Sequence, residues 1–301
     1  MLLAALALLQ QGPLEFAYTD VTCIGYEEGV CRRDPSDVIL VDGVYYVWYT
    51  KVVQGALLYP SGYDGTVWYA TSLDGTDWRE QGEAVARGGK GAWDEQSVFT
   101  PNILPFGGRY YLYFTAVTKP FSNSGPMITR TAIGVASADS PRGPWTKSAQ
   151  NPVLEPSWDF NEFDSSRVDD ACLLVRGRTI YLYYKGRAWN RSPGQTMMGV
   201  ARSSSPTGPF VKYSGNPVVR GGHEAMVWPA HGGVMSLHSA AGEAGRTLQF
   251  SPDGLHFERV SDQTKFPMAP GAFRQEDGLA WGVSMRGGQH PYLVRFDVTR
   301  G

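Results

Sequence analysis

Short apolar and aromatic runs alternate with Gly-containing turns along most of the chain. The first unit opens at Asp34-Pro35, continues as an apolar strand to Val41, reverses at Asp42-Gly43 and returns through the aromatic run Tyr45–Tyr49. Apolar runs of about four to eight residues between turn residues are typical of β-strands. The pattern therefore predicts antiparallel hairpins.

This hairpin recurs along the chain. Later copies open at Thr100-Pro101, Asp170-Ala171 and Glu224-Ala225, and a weaker fifth copy opens near Ala269-Pro270. Each of the first four copies continues into a second hairpin that closes on an aromatic residue: Trp78, Trp145, Phe210 and Phe257. Four-stranded antiparallel units repeated in this way are typical of β-propellers. The sequence predicts an all-β fold, a five-bladed β-propeller with four antiparallel strands per blade. A two-sheet sandwich would not regenerate the same opening residue before each Gly turn.

Composition narrows the ligand and the location. The formal net charge is −2 and 13% of the residues are aromatic. Nucleic-acid binding needs a basic face, so no nucleic-acid partner is expected, whereas many aromatic rings suit either sugar binding or a β core. The apolar run Met1–Leu9 is too short to span a membrane and resembles a secretory signal without its basic start. We expect a leader over residues 1–16, one catalytic propeller over 17–301, and a periplasmic or secreted protein with a cytoplasmic one as the alternative.

The three cysteines fall into two classes. Cys23 and Cys31 flank a Gly-containing loop, and they could form a disulfide if the protein were exported. Cys172 lies in an apolar strand pattern and is expected to be a buried free thiol. The spacing of cysteines and histidines predicts no zinc site.

The residues that open the repeats carry the candidate chemistry. The innermost strand of each propeller blade lines the central channel, so Asp34, Asp170 and Glu224 should converge at one mouth, with Thr100 in the second blade. Like charges in a confined cleft separate their pKa values, which gives the acid and the base that glycosidic cleavage needs. The alternative is that each Asp only caps its own turn.

Neighbouring residues extend this candidate site. Arg32 or Arg33 would hold Asp34 ionised or bind a sugar hydroxyl, and His223 places an imidazole beside Glu224. Asp169 competes with Asp170, because an ungapped overlay of the repeats selects Asp169 and one deletion selects Asp170. Asp164 and Glu162 are expected in solvent. Further candidate sugar contacts are Gln96, Ser97, Lys185 and the tryptophans Trp228, Trp93, Trp48 and Trp189.

Several long stretches resemble glycoside hydrolase family 117, the α-1,3-(3,6-anhydro)-L-galactosidases. They are RRDPSDVI (32–39), DGVYYVWYTK (42–51), DGTVWYATSLDG (64–75), DEQSVFTPNIL (94–104), DACLLVRGRTIYLYYKG (170–186) and GHEAMVWP (222–229). The resemblance implies an inverting, exo-acting hydrolase that releases 3,6-anhydro-L-galactose from agar-type oligosaccharides. It also implies that Asp34 is the general base, that Asp170 orients the site and tunes pKa values, and that Glu224 or His223 is the acid.

Two departures from the family pattern leave questions open. Asp169-Asp170-Ala171 stands where the family has His-Asp-Pro, which affects the sugar accepted or any metal bound. The family's N-terminal SxAIxRN dimerisation motif is not found, so the oligomeric state is open. No cofactor is expected to be required, with a divalent cation in the central channel as the alternative. The expected partner is an oligosaccharide rather than a membrane. Alternative functions are a family 43-like arabinofuranosidase or xylosidase, a non-catalytic sugar-binding propeller, and a phosphorylase that uses Arg32, Arg33 and Lys185.

Overall fold

Five four-stranded antiparallel units make up the computed structural model, which describes residues 13–123, 129–239, 245–276 and 278–299. The predicted five-bladed β-propeller is confirmed. The first blade holds β2 (Val30–Arg33), β3 (Ile39–Val41), β4 (Val44–Val53), the short 3-10 helix Gly62–Asp64, β5 (Thr66–Ser72) and β6 (Trp78–Val85). Here β2 and β3 pair with the two halves of β4 as one interrupted inner strand.

The next three blades follow in chain order from the channel outward. The second is β7 (Ser97–Phe106), β8 (Arg109–Val117), β9 (Thr131–Ala138) and β10 (Thr146–Lys147). The third is β11 (Arg167–Arg176), β12 (Thr179–Arg187), β13 (Thr196–Ser203) and β14 (Val211–Lys212). The fourth is β15 (Ala225–Ala230), β16 (Gly233–His238), β17 (Thr247–Ser251) and β18 (Glu258–Asp262).

The last blade joins both ends of the described chain. Its strands are β19 (Met268–Gln275), β20 (Gly278–Arg286), β21 (Tyr292–Thr299) and, outermost, β1 (Glu15–Asp20). β1 pairs antiparallel with β21, from Glu15 opposite Thr299 to Asp20 opposite Val294. Phe16 is buried with its ring 5.8 Å from that of Phe296. This strand was not foreseen in the sequence, and it includes the last two residues of the expected leader; residues 1–12 of that leader lie outside the described chain.

The core lies between adjacent blades. Trp48 of β4 is fully buried and belongs to one cluster with Leu112 and Phe114 of β8, while Tyr113 of β8 packs with Leu182 of β12. Each sheet is covered on both faces by its neighbours, so the middle strands are continuous apolar and aromatic runs instead of alternating ones. This explains why aromatic residues concentrate in the second strand of each repeat.

A β-bulge interrupts the inner strand at the mouth of most blades. The register shifts at Thr100-Pro101, Asp170-Ala171 and Ala269-Pro270. The first residue of each pair and Asp34 have left-handed backbone conformations, with φ of 51° at Asp34, 45° at Thr100, 53° at Asp170 and 43° at Ala269. Non-glycine residues adopt such φ values at a cost, and Asp tolerates them better than most. Asp170 is therefore the structural equivalent of Asp34. The fourth blade differs, since β15 and β16 pair without a shift.

The cysteines are all free thiols. Cys23 is exposed, whereas Cys31 and Cys172 are buried. The disulfide considered for Cys23 and Cys31 is therefore not formed, and the prediction for Cys172 is confirmed. Among the described residues, no helix has the length and apolar character needed to cross a membrane.

Candidate active site

One residue from each blade lines the mouth of the central channel. Asp34, Thr100, Asp170, Glu224 and Ala269 surround a cavity of about 50 Å³. An adjoining cavity of about 70 Å³ shares the three carboxylates and adds Arg33, Asp169, Lys185, His223 and Tyr63. The structure thus brings the three repeat-opening carboxylates together at one end of the propeller.

A buried ion pair lies beneath the mouth. Asp37 contacts the guanidinium of Arg274 and accepts a 2.8 Å hydrogen bond from the Ala272 N–H. Arg274 also lies 3.0 Å from the sulfur of Cys172, a residue that lines the mouth cavity. A second cavity begins at Asp37 and Arg274 and extends toward the opposite end of the channel. Arg274 also donates to the Leu173 carbonyl oxygen, so its side chain reaches from the fifth blade to the third between the two cavities.

Asp34 is held by a neighbouring arginine. Arg33 Nε lies 2.8 Å from Asp34 Oδ2, and Asp34 raises the pKa of this guanidinium. Arg32, the other sequence candidate, is instead buried between Glu27 (2.6 Å) and Glu80 (2.9 Å). Arg33 is therefore the arginine of the mouth, and it forms an ion pair with Asp34 there.

Lys185 lies between two adjacent aspartates. Its ammonium contacts Asp170 Oδ2 and lies 3.9 Å from Asp169 Oδ2, which stands opposite it in the sheet. The Asp170 N–H donates to Thr115 Oγ1 of the preceding blade at 3.3 Å. Burial raises the pKa of Asp170, Lys185 opposes this, and Asp169 adds to it. Burial lowers the pKa of Lys185, but its attraction to both aspartates outweighs that effect and the net shift is upward.

Glu224 has the environment of a general acid. Its N–H donates to Ser239 Oγ at 2.8 Å, and its Oε2 accepts from the Ala269 N–H at 2.7 Å. Burial, together with repulsion from Asp170 and Asp34, raises the pKa of Glu224 to about 7. A carboxyl with a pKa near neutrality holds a proton that it can release during catalysis.

His223 has the opposite character. Its Nδ1 lies 2.8 Å from the Pro193 carbonyl oxygen, which only accepts, so Nδ1 carries the proton. The charge of Lys185 and burial lower the pKa of His223 to about 4. The imidazole is neutral at neutral pH and its Nε2 is an acceptor. It is suited to receive a hydrogen bond from a sugar hydroxyl.

Some predicted site residues lie elsewhere. Gln96 Nε2 contacts Asp64 and donates to the Tyr63 carbonyl oxygen at 3.1 Å, so this side chain supports the short 3-10 helix. Ser97 Oγ likewise donates to the Gly62 carbonyl oxygen at 2.6 Å. Neither residue lines the mouth cavities. Both precede the bulge of β7, which turns Thr100 toward the channel in their place.

Two of the candidate tryptophans and Asp164 are buried. Trp228 is only 4% exposed and packs between the fourth and fifth blades, because its strand alternates into the core, and Trp48 is fully buried. Asp164 is buried, not in solvent: it lies 2.6 Å from Lys212 Nζ and accepts from the Tyr184 hydroxyl at 2.9 Å. The apolar cover of Tyr184 and the paired lysine make this burial tolerable.

One side chain and one backbone contact of the mouth were missed in the sequence. Tyr63 comes from the 3-10 helix between β4 and β5, and Ala269 contributes a backbone N–H instead of a side chain. The helix lies outside the repeated hairpins, so the repeat carried no signal for Tyr63. The Pro that follows Ala269 indicated the start of the fifth repeat, but nothing in the sequence indicated the hydrogen bond from the Ala269 N–H to Glu224.

The sequence left a divalent cation in the central channel as an alternative. Throughout the described part of the chain, no three His, Cys, Asp or Glu side chains form a set that could hold a metal ion. Lys185 already supplies the positive charge between Asp169 and Asp170. No chemical step is therefore assigned to a metal.

A five-bladed propeller with three converging carboxylates defines a class of enzyme that cleaves glycosidic bonds. Consistent with this class, residues 30–172 match Glycosyl hydrolases family 43. A family 117 glycoside hydrolase from the marine bacterium Zobellia galactanivorans is 31% identical, with a TM-score of 0.83 over 95% of this chain and 90% of that one. The chain belongs to glycoside hydrolase family 117, and it is a glycosidase.

More distant structures share the fold alone. The endo-arabinase of Bacteroides thetaiotaomicron is 15% identical, with a TM-score of 0.58 over 94% of this chain and 98% of that one. The catalytic domain of the Coprinopsis cinerea GH62 α-L-arabinofuranosidase is 13% identical, with a TM-score of 0.62 over 96% and 98%. No curated protein sequence matches significantly.

Proposed function

We propose that this glycosidase is an exo-acting, inverting α-1,3-(3,6-anhydro)-L-galactosidase. Its substrate would be an agar-type oligosaccharide, from which it releases 3,6-anhydro-L-galactose at the non-reducing end. The observation that carries the proposal is the pairing of two carboxyl groups in one mouth. Glu224 has a pKa of about 7, while Asp34 is ion-paired with Arg33. One group can donate a proton and the other can accept one, as inverting hydrolysis requires.

In the proposed reaction, Asp34 removes a proton from a water molecule that attacks the anomeric carbon. Glu224 gives its proton to the glycosidic oxygen on the opposite face of the ring, and the carbon–oxygen bond breaks. The released sugar carries the water oxygen with inverted configuration, and the leaving oligosaccharide gains a hydroxyl. Inverting enzymes hold the two carboxyl groups about 6.5–9.5 Å apart to leave room for the water.

The remaining residues of the mouth support these two. Asp170 repels a charge on Glu224 and so favours its protonated form. Lys185 holds Asp170 in place, and the Ala269 N–H orients the Glu224 carboxyl. His223 Nε2 is an acceptor for a sugar hydroxyl. The exo mode is proposed because the Asp37 and Arg274 side chains lie across the channel beneath the mouth.

The test is hydrolysis of neoagarobiose by the wild type and by Asp34→Asn. We expect the wild type to release 3,6-anhydro-L-galactose, first seen by proton NMR as the inverted anomer, and the variant to lose about 10²–10⁴-fold in rate because its base is gone. The matched control is Asp164→Asn, which removes a buried carboxylate outside the mouth. Release of the retained anomer, or equal rates for wild type and Asp34→Asn, would contradict the mechanism.

The same assay separates the alternatives. Family 43-like specificity, favoured by the match over residues 30–172, predicts activity on arabinofuranosides or xylosides and none on agar, porphyran or carrageenan oligosaccharides. A non-catalytic sugar-binding propeller predicts that the wild type and Asp34→Asn both bind the sugar and that neither hydrolyses it. A phosphorylase would need cations free for phosphate, whereas Arg32, Arg33 and Lys185 are each paired with carboxylates.

A further inference from the structure

Another, larger cavity lies between the second and third blades on the same face as the mouth. It measures about 690 Å³, within the range of about 300–1,000 Å³ typical of small-molecule sites. It lies where β8 ends and β9 and β11 begin, and these strand ends point the same way as the mouth end of β7. We call it the aromatic cleft, and the residues that matter to it are Phe121, Arg130, Glu155, Trp158, Phe160 and Trp189.

Two rings of the aromatic cleft are unusually exposed. Trp158 is 75% exposed and Phe160 is 59% exposed, in contrast with the buried tryptophans of the blade cores. Arg130 places its guanidinium 3.8 Å from the centroid of the Trp158 ring. The exposed area that remains leaves the other face of the indole to a ligand. Exposed apolar surface of this kind marks ligand-binding grooves or interaction sites.

The exposed rings are held in place. Arg130 Nη2 donates to the carbonyl oxygens of Pro156 (2.8 Å) and Ser157 (3.0 Å), which fixes the segment that carries Trp158. Phe160 packs edge-on against Trp189 at 5.6 Å. A preformed aromatic platform binds a flat ligand with little loss of side-chain freedom.

The aromatic cleft adjoins the catalytic mouth through one aromatic pair. Phe121 of the cleft stacks on Tyr63 with the ring centroids 4.1 Å apart, and Tyr63 lines the mouth beside Asp34 and Glu224. A sugar chain whose terminal residue lay in the mouth would have to pass over this pair to reach the cleft. The Arg130 and Glu155 side chains there are suited to hydroxyl groups.

We propose that the aromatic cleft binds the leaving-group part of an oligosaccharide substrate, beyond the sugar at the scissile bond, by stacking pyranose rings on Trp158 and Phe160. This inference rests on the proposed function, because it assumes that the mouth takes the non-reducing end. The charged side chains among the rings and the continuity with the mouth favour a saccharide over a protein surface. The enzyme should therefore prefer longer oligosaccharides.

The experiment compares Trp158→Ala and Phe160→Ala with the wild type on neoagarobiose and neoagarohexaose. We expect kcat/KM on the hexasaccharide to fall about tenfold for each variant, the amount expected for one aromatic contact, and to stay within about twofold on the disaccharide. The matched control is Tyr18→Ala, which removes a 38% exposed ring that also lies by an arginine, on the outermost strand β1. It should leave both substrates unaffected.

Binding measurements separate this inference from the proposed function. Isothermal titration of neoagarohexaose should show weaker affinity in both cleft variants. If that result came without hydrolysis of any substrate, it would contradict the proposed function and still support sugar binding in the aromatic cleft. Hydrolysis without any chain-length preference, with the same affinity for neoagarohexaose in the variants and the wild type, would contradict sugar binding in the aromatic cleft and leave the proposed function supported. A dimer by light scattering that dissociates in Trp158→Ala would also overturn it, since a second copy would then cover the rings.

Discussion

Glu224→Gln tests whether the proposed acid is protonated because of its surroundings. Burial and the neighbouring aspartates raise the pKa of Glu224 from its ordinary 4.5 to about 7. At about 1.36 kcal/mol for each tenfold change, the protein favours the protonated form by about 3 kcal/mol. The substituted glutamine amide would be neutral at every pH and would keep an oxygen for the Ala269 N–H.

The sign of the effect on stability follows from proton linkage. The folded state binds a proton at Glu224 more tightly than the unfolded state, so this stabilisation is complete below pH 4.5 and is lost as pH rises through 7. Between pH 5 and pH 8 the group should cost the wild type about 2.5 kcal/mol of unfolding free energy. Titrating groups that do not interact with Glu224 are common to both proteins and cancel in the comparison.

The assay is urea unfolding of the wild type and Glu224→Gln at pH 5 and pH 8, with the pH profile of kcat/KM measured in parallel. The wild type should lose about 2.5 kcal/mol more than the variant, and its activity should decline above pH 7 as the acid ionises. Equal pH dependence of stability in the two proteins would refute the reasoning, as would an activity whose decline toward high pH has its midpoint below pH 5.

Three further changes probe the site and the fold. His223→Asn should lower kcat/KM yet keep the decline above pH 7, whereas a catalytic acid at this position would take that decline away; initial rates across pH decide. Lys185→Met should destabilise the protein by about 3–5 kcal/mol in urea, since it leaves the buried Asp170 unpaired, and an unchanged midpoint would contradict the buried pair. Phe16→Ala should lower the free energy of unfolding by about 3–5 kcal/mol in the same assay, because its ring is in the core. Tyr18→Ala on the same strand should lower it by less than about 1 kcal/mol. Equal losses would contradict the packing of β1 into the last blade.

The repeat made the fold predictable because every blade must solve the same packing problem. Apolar runs, Gly turns and closing aromatics recur with each blade, so four units were visible in the sequence and the fifth was weak but correctly placed near Ala269. The strand β1 could not be seen this way. Its partner β21 lies at the other end of the chain, and pairing over such a separation leaves no local pattern.

The same logic explains which site residues were foreseen. Asp34 and Asp170 open their repeats, and the bulge settles the choice between Asp169 and Asp170, because only Asp170 has the left-handed conformation of Asp34. Trp228 was proposed as a sugar contact because aromatic residues are common both in β cores and in sugar sites. Its burial in the structure shows that it belongs to the core. Tyr63 lies in a connection between strands, which the repeat does not constrain.

The differences between blades are what make the mouth chemically asymmetric. Asp34 and Asp170 have left-handed backbones and each pairs with a cation, whereas Glu224 precedes the unbulged strand β15 and forms no ion pair with any described residue. The fifth blade brings no carboxylate, yet its bulge turns the Ala269 N–H toward Glu224. Five copies of one unit would give five equivalent groups and no division of labour. The fourth and fifth blades break that equivalence, so one carboxyl with a pKa of about 7 and no ion-pair partner lies beside two that are paired with positive charge.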